Sequence, residues 1–315
     1  MLLPLVTIAI PTYNRADFYL PQALQCALNQ TYGNLEIIVS DNCSTDGTKA
    51  LVTGIDDSRL RYLRHERNIG ANNNFNFCFE QAKGSYVLLL HDDDMIDPDF
   101  VASCIDAAKG LTEAGIIRSG TRLIDSQGKV VSEIPNRAAG LPTDAFFRAW
   151  LAGRTALYLC STLFNTKRLR EIGGFRSKHN CYEDGMAEFR LIATYGRVDV
   201  PEVKASVRYH EGQQAFGRSI DEWCEDSVAL LDLMCELVPD SQAQLRRNGL
   251  RFFAATNYRR ASAMKSPLKR IDAYAKVFRY FGHLPSFGRF LSIFYGTRPY
   301  LALRSLKRKL TFASS

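Results

Sequence analysis

The chain has 315 residues, 46% of them hydrophobic and 11% aromatic, with 40 basic against 33 acidic side chains and a net charge of +7. That is ample for a packed core and for one or two domains, and no run approaches the ~20 apolar residues of a membrane-spanning helix. The charge is uneven: from Arg246 onward 16 basic residues accompany a single acid, Asp272, whereas the preceding part carries 24 bases and 32 acids.

The N-terminus, MLLPLVTIAIPTYNR, has no basic n-region and no small-residue cleavage site, so it reads as a first strand and not a signal peptide. Its run LVTIAI (5–10) is continuously apolar, as in a strand buried on both faces. Leu20, Ala23, Leu24, Ala27 and Leu28 then share one helical face. LEIIVS (35–40), a short helix over 48–54, LRYL (60–63), a helix over 72–82 and YVLLL (86–90) continue the alternation. Strands separated by helices predict right-handed crossovers and a mainly parallel sheet, in which ligands bind beyond the carboxyl ends of the strands.

Beyond residue 110 the pattern changes. GIIRSG and TRLIDSQGKVV read as strands, the second with a turn at Ser126–Gly128. A helix near 143–152, a strand YLCSTLF (158–164), a short helix 166–172 and a turn at Gly173–Gly174 follow. A helix from 184 to 195 precedes strand-like alternation in VDVPEVKASVRYH (198–210), and from 218 the chain reads as helices, without internal repeat or low-complexity tract. The eight cysteines form no C-x-x-C pair and several lie in apolar patterns, which reads as reduced, buried thiols in a cytosolic chain.

Four polar clusters follow the ends of the first four strands, and two more lie later in the chain. HDDD (91–94) sets Asp92, Asp93 and Asp94 side by side, where like charges raise one another's pKa. Carboxylates stay close when a divalent cation lies between them, and oxygen ligands in such a loop suit Mg²⁺ or Mn²⁺. The plain structural reading is a solvated acidic loop, with Asp97 and Asp99 capping a helix from Pro98 and His91 a hydrogen-bonded neighbour. SDNCSTDGT (40–48) offers Ser44, Thr45 and Asp46 as helix caps. Capping does not explain Asp41, a carboxylate suited to a base or ribose edge. PTYNR (11–15) supplies Tyr13 to stack and Arg15 to meet phosphate. ERNIGANNNF (66–75) brings Asn68 and Gly70 before a helix. In IGGFRSKHNCYEDGMAEFRL (172–191), Phe175 is an anchor, and Glu183 and Asp184 either complement a helix N-terminus or supply a general base. VRYHEG (207–212) ends a strand with His210.

With these residues the sequence resembles the family 2 glycosyltransferases of GT-A fold. The likeness runs from VTIAIPTYNRADFYLPQALQCALNQTYGNLEIIVSDNCSTDGT through ERNIGANNNFNFCFEQAKGSYVLLLHDDDMIDPDF and resumes at IGGFRSKHNCYEDGMAEFRL. It covers residues 5–100 closely and extends loosely to about 212. The resemblance implies an α/β GT-A catalytic domain over 1–215, with a nucleotide-sugar half to about 110 and an acceptor half beyond it, followed by a helical basic region over 216–315. It implies inverting sugar transfer from a nucleotide-diphosphate sugar to an acceptor hydroxyl, with Mn²⁺ or Mg²⁺. Pro11, Tyr13, Arg15, Asp41, Asn68 and Asp92 would form the donor pocket. Asp93 is the preferred metal ligand by register and Asp94 by the literal Asp-x-Asp spacing, with His210 a late metal or diphosphate contact. Asp184 would be the catalytic base, with Glu183 the alternative.

In the basic tail, Leu268, Ile271, Tyr274, Ala275, Phe278 and Phe281 share a helical face, largely opposite Lys265, Lys269 and Lys276, and Phe287, Phe290, Leu291, Phe294 and Tyr295 continue the apolar content. The pattern suits a helix on an anionic membrane, and equally a helix packed on the protein with a solvated basic face. On the membrane reading the enzyme is peripheral on the cytoplasmic face of the inner membrane, and its saccharide acceptor is lipid-linked, as in surface polysaccharide or O-antigen assembly. Nucleic acid is not expected, since no zinc spacing or recognition motif occurs. Rival readings are a sugar nucleotidyltransferase, whose Gly-rich first loop PTYNR lacks, and a nucleotide-sugar-binding scaffold without catalysis.

Overall fold

The computed structural model describes residues 3–109, 113–210 and 218–285. It divides into two compact units, residues 1–176 with 183–213, and residues 177–182 with 214–315.

The first unit opens with the expected alternation: β1 (Val6–Thr12), α1 (Leu20–Leu28), β2 (Leu35–Asp41), α2 (Thr48–Thr53), β3 (Leu60–Arg64), α3 (Ala71–Gln81) and β4 (Tyr86–Leu89). Every residue of β1, β2 and β4 is buried, which is why these strands are continuously apolar and not alternating. The pairs β1–β2, β1–β4 and β2–β3 are parallel. All four carboxyl ends therefore meet at one edge of the sheet.

The second half of the sheet corrects the expectation of a mainly parallel one. It contains β5 (Met95–Ile96), α4 (Phe100–Ala107), β6 (Ile116–Ile124), β7 (Val130–Ile134), α5 (Thr143–Leu151), β8 (Thr162–Asn165), α6 (Thr166–Glu171), α7 (Glu183–Tyr195) and β9 (Arg197–Arg208). The sheet order is β3-β2-β1-β4-β8-β6-β9-β5, with β7 paired to β6. Here β8 is antiparallel to both β4 and β6, β5 to β9 and β7 to β6, while β6 and β9 are parallel. The β6–β7 connection is a tight hairpin, which only antiparallel strands accept. Gly128 takes φ +84° in that turn, and the Asp125 carboxylate accepts from the N–H groups of Gln127 and Lys129, both at 2.9 Å. The expected strand over 158–164 begins instead as a single 3₁₀ turn, Leu159–Ser161. The Ser161 and Thr162 hydroxyls both donate to the Tyr158 carbonyl and close it.

The apolar side chains of β1, β2, β4, α1 and α4 build one core. Phe175 anchors the chain after the glycine turn, edge-on to Phe79 and Phe164. Six of the eight cysteines are buried and none forms a disulfide.

The second unit holds α8 (Ile220–Leu237), α9 (Gln242–Ser262) and α10 (Pro267–Phe281). A Ser219–Glu222 capping box starts α8, satisfying N–H groups that the first helical turn leaves open. The segment 177–182 belongs to this unit through Asp226, which accepts from Ser177 Oγ at 2.7 Å and from the Cys181 N–H at 3.0 Å. The expected amphipathic face of α10 divides. Tyr274 and Phe281 are buried, Tyr274 stacking near Tyr258, whereas Leu268, Ile271, Ala275 and Phe278 are exposed. Lys276 is not on a free basic face, being paired with Asp221 at 2.8 Å and Asp272 at 3.1 Å. Phe287, Phe290, Leu291, Phe294 and Tyr295 lie outside the described residues.

Candidate active site

The four strand-end loops are stitched together by side chains. After β1, Asn14 takes φ +53°; its N–H donates to Ser44 Oγ and its Oδ1 accepts from the Thr45 N–H. The Ala16 N–H donates to Asp46 Oδ2 at 3.0 Å. Asp46 also accepts from the Thr48 N–H and hydroxyl, as its capping role predicts, whereas Ser44 and Thr45 are turned to the first loop. Asn42 links the second loop to the third, donating to Asn68 Oδ1 at 3.0 Å and accepting from the Ile69 N–H at 2.8 Å. Thr12 links the first to the fourth, its hydroxyl donating to Asp92 Oδ2 at 2.7 Å. Thr12 and Asn42 were not singled out in the sequence, where each reads as an ordinary strand-end residue.

The expected donor residues lie along this rim. Pro11 is buried within β1, Tyr13 is exposed and Arg15 half-buried. Asp41 is fully buried: Oδ1 accepts from the Ser44 N–H at 2.7 Å, Oδ2 accepts from the Tyr62 hydroxyl, and Arg64 Nε lies 3.6 Å away. Burial, with Asp41 beside it, pushes the Tyr62 phenol well above its ordinary range. Asn68 Oδ1 also accepts from the Gly70 N–H at 2.8 Å and so shapes the turn into α3.

Beyond β4, burial pushes Asp92 up to about 6, with Asp93 adding repulsion and the Thr12 bond opposing it. Asp94 is likewise raised to about 6, chiefly by burial. Asp93 Oδ2 lies 2.8 Å from His210 Nε2. The capping roles expected of Asp97 and Asp99 are not observed: Asp97 takes both terminal nitrogens of Arg122 and Asp99 takes Lys204, because strands β6 and β9 bring these cations to the two carboxylates.

His91, Asp93 and Asp94 can each offer a ligand atom, all within 4.8 Å of one another. An octahedral ion about 2.1 Å from each ligand sets its donors about 3–4 Å apart, so small side-chain rotations suffice. His91 Nδ1 lies 3.8 Å from Asp94 Oδ2, and Nε2 is buried with no hydrogen-bond partner among the described residues, so the imidazole is an ionic rather than a hydrogen-bonded neighbour. A partnerless buried nitrogen is costly unless something binds it. One imidazole and two carboxylates fit a divalent cation, and His210 reaches the same cluster through Asp93.

Arg208 is the residue sequence reasoning missed most clearly. It is fully buried at the end of β9. Its N–H donates to Asp94 Oδ1 at 3.0 Å, and Nε donates to the Asp93 carbonyl at 2.8 Å.

Asp184 stands in the first turn of α7 beside Glu183. Its Oδ1 accepts from the Gly185 N–H at 2.7 Å. Burial raises its pKa above the ordinary 3.8, partly offset by that bond and by His91, which makes it a stronger base than a solvated aspartate. One turn on, burial keeps the Glu188 carboxyl well above its usual range, and the charge of Asp184 adds to the effect.

Residues 7–133 match the model of the family described as glycosyl transferase family 2. The GalNAc(5)-diNAcBac-PP-undecaprenol beta-1,3-glucosyltransferase of Campylobacter jejuni is 31% identical over 178 residues, 54% of this chain and 56% of that protein. The chain spans 18–56% of the length of the first curated relatives it matches. TarS of S. aureus, solved with UDP-GlcNAc, superposes with a TM-score of 0.56 at 15% identity, covering 88% of this chain and 89% of that one. The mannosyltransferase PcManGT of Pyrobaculum calidifontis, solved with GDP-Man and Mn²⁺, gives a TM-score of 0.53 at 18% identity, covering 98% and 81%. The first unit therefore has a GT-A-like fold, with its sheet part parallel and part antiparallel.

Proposed function

We propose that this chain, homologous over residues 7–133 to the family 2 glycosyltransferases, moves a sugar with inversion from a nucleotide-diphosphate sugar to an acceptor hydroxyl. The observation that carries the reading is the convergence of His91, Asp93 and Asp94 on the rim where Thr12, Asn14 and Asn42 tie the strand-end loops together. Tyr13 stacks on the base, Arg15 faces the diphosphate, and Asp41, Asn68 and Asp92 shape the nucleoside side of the pocket. Asp93 and Asp94, with His91 and His210, hold a divalent cation. When bound, such an ion stabilises the charge growing on the departing diphosphate as a Lewis acid. Asp184 accepts the proton of the acceptor hydroxyl while that oxygen attacks the anomeric carbon and the bond to diphosphate breaks. Attack from the face opposite the leaving group inverts that centre.

A thermal-shift panel of UDP, GDP, dTDP and CDP sugars, with and without Mn²⁺, tests the reading. The matching donor raises the melting temperature only with metal present; at a hundred times Kd, binding adds about 2.7 kcal/mol. No metal-dependent shift with any donor counts against it.

The Campylobacter relative is named for a polyprenol-linked acceptor, which supports a lipid-linked saccharide acceptor here and a role in surface polysaccharide assembly. No helix among the described residues is long and apolar enough to cross a membrane. The outward stripe of α10 and the basic tail instead support peripheral attachment to an anionic surface, at the cytoplasmic face.

A further inference from the structure

Arg208 makes more contacts to the acidic loop and its surroundings than an incidental strand-end cation needs. Besides its bonds to Asp93 and Asp94, Nη1 donates to the Asp125 carbonyl at 3.3 Å, and Nη2 donates to Gln22 Oε1 at 2.7 Å and contacts Met95 Sδ at 3.4 Å. The guanidinium lies 4.3 Å from the centre of the Tyr19 ring. Tyr19 in turn lies 5.2 Å from the His210 ring, and its hydroxyl donates to the Ser126 carbonyl. The buried guanidinium thus fixes the main chain of Asp93 and, through Tyr19, packs toward the imidazole that meets Asp93, while the backbone N–H of the same residue holds the side chain of Asp94.

We propose that Arg208 is a positioning residue that holds Asp93, Asp94 and His210 in the arrangement in which they, with His91, accept a metal, with Gln22 and Tyr19 as its supports. The proposal rests on the metal reading of that cluster. Groups that orient ligands without touching the ion typically control affinity by about 10–100-fold. A rigid planar fork with several fixed acceptors is not replaced by a lysine ammonium.

Mn²⁺ titrations of the full chain, followed by the loss of the free-ion electron paramagnetic resonance signal, test this. The set is the unmodified protein, Asp93→Asn, Arg208→Lys, Arg208→Gln and Gln22→Leu, each checked for folding by circular dichroism. Expected are loss of uptake in Asp93→Asn, about 10–100-fold weaker uptake in both Arg208 variants, and a smaller loss in Gln22→Leu. Gln22 is exposed on α1, so that variant reports even if the Arg208 variants do not fold. Uptake by folded Arg208 variants, or by Gln22→Leu if they do not fold, within twofold of the unmodified protein overturns the positioning role while leaving the metal site standing. No uptake by the unmodified protein overturns the metal reading, and this proposal with it.

Discussion

Asp184 sits where two influences oppose each other. The positive end of α7 favours its carboxylate, and burial favours the neutral acid; burial wins, so its pKa lies above 3.8. A general base acts only when deprotonated, so turnover rises with pH as Asp184 loses its proton, and the acid limb of the kcat/KM profile lies above the ordinary carboxylate value. Asp184→Asn removes the base while keeping the shape. The expected result is a loss of about 10²–10⁴-fold in kcat with donor affinity unchanged in the thermal-shift assay, and near-full turnover in the variant assigns the proton elsewhere. At this scale the sequence showed the acids well and their partners poorly. Asp92, Asp93 and Asp94 stand out because like charges in a row need a reason. Arg208 does not, because an arginine at the end of an alternating strand looks like a surface residue until the fold brings Asp93, Gln22 and Tyr19 to it.

Among the elements, the turn between α6 and α7 depends on one atom being absent. Gly174 takes φ +79°, and a Cβ there would overlap the Phe79 ring and Asn76 Oδ1. That close approach lets Asn76 accept from the Phe175 N–H at 2.9 Å and donate to the Phe175 carbonyl at 3.0 Å, and seats Phe175 between Phe79 and Phe164. Gly174→Ala combines strained backbone with steric overlap and is expected to cost about 1–3 kcal/mol from the backbone alone. It is read as a lower urea midpoint; Gly173→Ala is the comparison, since its Cβ meets nothing within 4 Å and only the positive φ is strained. Equal midpoints for the two variants would remove the role given to close packing. The glycine pair, the Phe anchor and the helices that follow were legible because turn residues and helical periodicity act locally. Strand direction after β4 was not, since β8 lies between β4 and β6 by long-range pairing that no local pattern encodes.

Across the whole chain, the dominant asymmetry is charge: bases are concentrated after Arg246 while the GT-A part is net acidic. Composition alone exposed that asymmetry, but which α10 side chains face outward depends on packing against α8 and α9. Leu268, Ile271, Phe278 and Leu284 are 79, 48, 46 and 79% exposed, and the first three recur at helical spacing. Lys269 and Arg279 are exposed on the same helix. Apolar side chains with flanking cations suit the interface of an anionic bilayer, where each cation contributes about 1 kcal/mol. Co-sedimentation with vesicles containing phosphatidylglycerol is expected to recover the full chain, with recovery falling as salt screens the charge, and vesicles of phosphatidylcholine alone to recover much less. Replacing Lys269 and Arg279 by Gln should weaken partition by about 2 kcal/mol, roughly 30-fold. Replacing Leu268, Ile271 and Phe278 by Ser should weaken it further without unfolding the protein, because these side chains contribute little to the packed core. If the chain's own segment 286–315 covers the stripe, the Ser variant sediments like the unmodified protein. Partition that ignores both lipid charge and the stripe would remove the membrane from the reading and leave the acceptor to be sought in solution.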